Sequence, residues 1–118
     1  MKWILFFTSI IIVSGCTYDN EAEYYGNTCD TLNVTFNQTI KPILDINCVA
    51  CHNGTISNGG VNLDNYSNVK ALAANGKLLG VIDHQPGFKT MPPATASKLD
   101  DCSIDKIRNW IEGGAQND

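Results

Sequence analysis

Five residues, Cys48-Val49-Ala50-Cys51-His52, constrain this 118-residue chain more than any other part of it. Two thiols spaced C-x-x-C with a histidine directly behind them form the attachment pattern of a c-type haem. The chemistry needs all three residues at that spacing. Each thiol adds to one of the porphyrin's two vinyl groups, and His52 is then held beneath the iron as an axial ligand. A porphyrin fixed here has to be enclosed by the rest of the chain, which must also supply whatever faces the iron from the other side.

Two other chemistries use a C-x-x-C pair. A tetrahedral zinc site needs two further ligands, usually a second close pair. Here the remaining cysteines stand singly at Cys16, Cys29 and Cys102, and the one other histidine is His84. A redox dithiol of thioredoxin type expects alternating strands and helices around it, and the residues flanking Cys48 carry no such alternation. Both readings are weaker than haem.

The chain opens on a targeting pattern. Lys2 supplies a positive end, Trp3 to Val13 form an apolar run interrupted at Thr8 and Ser9, and Ser14 and Gly15 are small residues before Cys16. The run is short for a membrane-spanning helix. Val13-Ser14-Gly15-Cys16 resembles the lipobox of bacterial lipoproteins, cut before a cysteine that then carries lipid; an ordinary secretory cleavage that leaves Cys16 free is the alternative. Residues 1–15 thus read as a lipoprotein signal peptide, and the chain is expected at the bacterial cell envelope. Their removal leaves 103 residues, enough for one small domain. The formal net charge moves from −4 to −5, because Lys2 goes with them. That acidity argues against nucleic acid and against charge-driven binding to anionic lipid, so membrane attachment would rest on Cys16.

With Cys16 lipidated and Cys48 and Cys51 bonded to haem, Cys29 and Cys102 remain. In an oxidising compartment such a pair suggests a disulfide, worth about 4 kcal/mol for a loop of this length in the chain-entropy model. Two buried free thiols are the alternative.

Residues 16–34 are polar and acidic, with Asp19, Glu21 and Glu23 and no helical or strand period, and read as a tether. Residues 35–118 form the domain. Ile40, Ile43, Leu44 and Asn47 recur at helical spacing behind Asn37 as candidate cap; Pro42 then requires a start at Thr39 or Ile40. Asn53 to Asn65 is loop chemistry, with Gly54, Gly59 and Gly60. A second helix is predicted over Ser67 to Ala74, capped by Ser67 and stopped at Asn75-Gly76. Lys77 to Ile82 is a short apolar run of either type, and Asp83 to Ser97 reads as a long loop. The last helix shows Ser103 as cap, Asp105 in the first turn, and Ile104, Ile107 and Ile111 as one stripe beside Trp110, ending at Gly113-Gly114. The fold class is all-α: about three helices and long loops, with a thin core of their own, wrapped around one haem.

The order of these features over roughly Thr35 to Gly114 resembles that of class I c-type cytochromes. In that family a helix runs into C-x-x-C-H, a loop and a middle helix follow, and a Met-bearing loop precedes a last helix with an aromatic. Met91 in Lys89-Thr90-Met91-Pro92-Pro93 resembles the family's distal ligand and is the only methionine beyond Met1. Gly60-Val61-Asn62-Leu63 resembles the family's Gly-Pro-Asn-Leu, so the Val61 carbonyl is expected to accept a hydrogen bond from His52. Trp110 matches the aromatic that packs on the first helix, whereas Ile40 and Leu44 stand where the family usually has glycine and an aromatic. His84 is the rival axial ligand and would give a bis-His haem of lower potential. The scattered Lys70, Lys77, Lys89 and Lys98 read as ordinary surface rather than a docking patch. The resemblance implies one covalently bound haem c and transfer of single electrons between redox protein partners outside the cytoplasm, by a monomer that is not an enzyme. The alternative is a haem-based sensor, gas-binding or catalytic module in which Met91 is displaced.

Overall fold

The computed structural model describes residues 29–118. Among them the regular structure is helical and no strand forms. The signal peptide, Cys16 and the tether as far as residue 28 lie outside the described residues.

The first helix starts earlier than its period suggests. Thr35 is extended (φ −112°, ψ 157°) and its side chain accepts the Gln38 N–H, which makes Thr35 the cap in place of Asn37. A wide π-helical turn, Phe36–Ile40, leads directly into α1, Lys41–Asn47. Pro42 falls in the first turn of α1, where its missing N–H costs nothing. The N–H groups of Phe36 and Asn37, left without helical partners, are taken by the side-chain and main-chain oxygens of Asp118 (2.8 and 2.9 Å).

Helix α2 is Tyr66–Ala74, capped by Asn65, whose side chain accepts from the Asn68 N–H. Ser67 lies inside the first turn, because Asn65 carries the extended backbone and is the equally good capping type. Gly76, at φ 75°, makes the left-handed turn that ends this helix and starts the next. The apolar run is that next helix, α3, Lys77–Ile82, with Leu78 and Ile82 buried one turn apart. The final helix, α4, is Asp101–Glu112, and its cap is Asp100, not Ser103: the Asp100 carboxylate accepts from the Ser103 N–H at 2.9 Å. Asp101 therefore sits in the first turn, and Asp105, one turn further on, pairs with Arg108. The described residues thus hold four helices, one more than expected.

Ile40, Leu44, Val69, Ile104 and Ile107 are the largest fully buried side chains and join α1, α2 and α4. Burying each such side chain stabilises by about 1.5–3 kcal/mol. Phe36 packs edge-on against Tyr66 (5.1 Å between centroids) and tilted against Trp110 (5.6 Å), so the last helix does pack on the first through Trp110. Ile40 and Leu44 are buried in the same core. The Tyr66 hydroxyl and Trp110 indole N–H donate to the carbonyls of Ala115 and Gln116. Cys29 and Cys102 are at disulfide distance, 2.06 Å between sulphurs. They tie the chain to the first turn of α4, and Val34 already packs on the core, so the last residues of the predicted tether belong to the domain.

Candidate haem-binding site

Helix α1 delivers the C-x-x-C-H motif directly. Cys48 closes it with an N–H bond to the Leu44 carbonyl (2.8 Å), and the next turn repeats the pattern, with the Cys51 and His52 N–H groups both donating to the Cys48 carbonyl (3.1 and 3.0 Å). The two thiols are free. The Gly- and Asn-rich loop then folds on its own polar atoms: the Asn53 side chain accepts from the Thr55 and Ile56 N–H groups and donates to the Val49 carbonyl. It returns against the motif where the Leu63 N–H donates to the His52 carbonyl at 2.8 Å.

A cavity of about 600 Å³ lies beside the motif, within the range of small-molecule and cofactor sites. Cys48, Cys51 and His52 line one side; Leu72 of α2 and Leu78, Val81 and Ile82 of α3 line another; Met91, Pro92, Pro93 and Leu99 complete it. The exposed residues Asn47, Asn58, Lys77 and Lys89 stand at its rim. Four of the residues singled out from the sequence therefore meet at one mostly apolar cavity. Cys29 and Cys102 lie elsewhere, as a crosslink.

His52 is half-buried, and its Nδ1 is fully buried without a hydrogen-bond partner. The expected bond to the Val61 carbonyl is not made. Val61 borders the cavity, but its backbone is engaged in the turn over Asn58–Gly60, with its N–H on the Asn58 carbonyl (3.3 Å), and lacks a proline ring to fix it. A buried polar atom left unpaired costs about 1–3 kcal/mol. Burial pushes the Cys48 thiol up to about 11, so it stays protonated at neutral pH, the opposite of the lowered pKa a redox dithiol needs. Among the described residues, no group of three or more His, Cys, Asp or Glu is arranged to hold a metal ion unaided.

Met91 is fixed through its backbone. Its N–H donates to the Val81 carbonyl at 2.9 Å, and the imidazole Nε2 of His84 stands 3.3 Å from its carbonyl oxygen. His84 does not border the cavity. Sequence reasoning missed the wall formed by α3. The apolar run Leu78-Leu79-Gly80-Val81-Ile82 was its only signal and is too short to show a period. Comparison with protein families, curated proteins and solved structures finds no match to this chain.

Proposed function

We propose that this protein is a monohaem c-type cytochrome that carries single electrons between redox partners at the bacterial cell envelope. One observation carries the reading: the C-x-x-C-H motif and Met91, far apart in the chain, border the same apolar cavity. The donor set suits a group that brings its own equatorial ligands. Cys48 and Cys51 would hold it by thioether bonds, and His52 and Met91 would supply the imidazole and thioether to its iron. When bound, the haem supplies an iron that gains and loses one electron. The chain contributes position, a low-dielectric wall from Leu63, Leu78, Val81, Ile82 and Leu99, and a thioether that favours ferrous iron and raises the potential.

With His52 and Met91 both holding the iron, no ligand position would be left for a substrate, which makes the protein a carrier and not an enzyme on this reading. It works as a monomer, held to the membrane by lipid on Cys16, and its partners are redox proteins. The test is the absorption spectrum of protein made with haem-attachment machinery, together with retention of haem through denaturing electrophoresis. A ferrous spectrum unchanged by carbon monoxide, with haem surviving denaturation, is the expected result. Prompt binding of carbon monoxide would instead mean that Met91 is displaced and that the protein senses or binds a gas. Absence of covalent haem would end the proposal.

A further inference from the structure

The segment that carries Met91 is folded back on α3 by contacts of its own. Beyond Asp83 the chain turns at His84, which takes a left-handed backbone (φ 55°). The Gln85 N–H donates to the Gly80 carbonyl at 2.9 Å, and the Phe88 ring lies on the α carbon of Gly80, where no side chain larger than hydrogen fits. Met91 then arrives with its N–H on Val81 and its carbonyl facing His84 Nε2. A carbonyl oxygen can only accept, so Nε2 carries the proton and donates. Both polar backbone atoms of Met91 are thereby held by residues of the same helix–loop unit.

From this geometry we infer that His84 is a positioning residue for Met91: its imidazole clasps the Met91 backbone and presents the thioether to the cavity. The inference rests on the haem reading above and gives His84 a role other than rival ligand. Any ligand that displaces Met91 from the iron must shift a backbone that His84 restrains. Removing the clasp makes displacement easier without changing the ligand itself.

Two substitutions separate the clasp from the backbone strain at this position. Asparagine tolerates φ > 0 as histidine does, but its amide ends too short to reach the Met91 carbonyl. Glutamine reaches about as far as Nε2 but is less suited to the left-handed turn. The readouts on the haem-loaded protein are imidazole affinity of the ferric form, the red thioether-to-iron charge-transfer band, and hydrogen exchange at the Met91 N–H. His84→Asn should bind imidazole about threefold to tenfold more tightly, the factor one neutral hydrogen bond is worth. It should also weaken the band and exchange the Met91 amide faster. His84→Gln should keep wild-type values for all three, although its melting temperature falls. Wild-type imidazole affinity in His84→Asn, or equal loosening in both variants, overturns the inference. Should the wild type lack the band and bind imidazole as tightly as Met91→Ala, Met91 is no ligand, and the inference falls with the electron-carrier reading although the haem remains; absence of covalent haem is the separate result that ends the haem reading.

Discussion

Gly80 shows how closely single residues set the packing of the Met91 segment on α3. A Cβ at this position would stand 2.6 Å from the Phe88 ring, a separation that forces ring or helix to move. Glycine is a poor residue for the interior of α3, by about 1 kcal/mol against alanine, so its presence is explained by the ring and not by the helix. Gly80→Ala should therefore destabilise the domain by about 1–3 kcal/mol, the usual cost of overpacking, despite the better propensity. In a Phe88→Ala background the same change should be neutral or stabilising, because the clash has gone. A denaturant double-mutant cycle measures the coupling; additive effects of the two changes would show that the ring does not set the choice of glycine. At His52 the departure from expectation is of the same kind. The Val61 N–H is taken up in the local turn on the Asn58 carbonyl, and the imidazole nitrogen that the Val61 carbonyl was expected to serve is left unpaired.

At the scale of elements, the ends of the helices decide most of what differs from the sequence reading. Asp100 holds the start of α4, and hydrogen bonding from Ser103, side chain first and backbone N–H second, keeps its carboxyl below the ordinary carboxylate range. Asp83, at the end of α3, is also lowered, by hydrogen bonds from Gln85 and Arg108 and by the charges of Arg108 and Lys98. A carboxylate with a lowered folded-state pKa contributes stability that is full above its unfolded value, about 3.9, and is lost as pH falls through the folded value. Stability should thus decline below about pH 4. Asp100→Asn keeps an acceptor for the Ser103 N–H but cannot titrate, so its acid limb should be shallower. Asp100→Ala should lose about 0.5–2 kcal/mol at neutral pH. Urea melts from pH 2 to 7 test both, and identical acid limbs for wild type and Asp100→Asn would refute the assignment. The apolar periods of α1, α2 and α4 were legible because they are long enough to show a stripe. Their caps were not, since Asn37, Ser67 and Ser103 are as good by type as Thr35, Asn65 and Asp100, and only backbone geometry selects among them. Of the four residues that meet at the cavity, Cys48, Cys51 and His52 were legible from their spacing and Met91 through the family resemblance, while the α3 wall depends on tertiary contact.

At the scale of the whole molecule, two apolar regions stand side by side among the described residues, and under the haem proposal they should respond differently to loss of the cofactor. One is the end of the continuous core held by α1, α2 and α4, closed by the Phe36–Tyr66–Trp110 cluster, the Asp118 bonds to the first turn and the Cys29–Cys102 crosslink; the same core runs on through Leu63, Leu78, Ile82 and Leu99. The other is the cavity, walled by α3 and the Met91 segment. Among the described residues no helix is long and apolar enough to cross a membrane; the anchor proposed above is the lipid on Cys16. Cys16→Ser should release the haem domain into the soluble fraction with an unchanged spectrum, and a protein that still pellets with membranes would refute the anchor. The Cys48→Ala/Cys51→Ala double variant asks the deeper question of what the haem does for the fold. Without thioether bonds the cavity has no covalently held occupant, and Leu78, Val81, Ile82 and Leu99 lose the apolar surface they would pack against, at about 25 cal/mol per Å². The core on the far side keeps its contacts and its crosslink. Hydrogen exchange should therefore show α3 and residues 83–93 losing protection first, while the amides of α1 and α4 stay protected until the disulfide is reduced, which removes about 4 kcal/mol more. Circular dichroism should show a partial loss of helix rather than a coil. A double variant whose α3 amides exchange as slowly as in the wild type would mean that the cavity is stable when empty, and the haem would then have no part in holding this side of the fold.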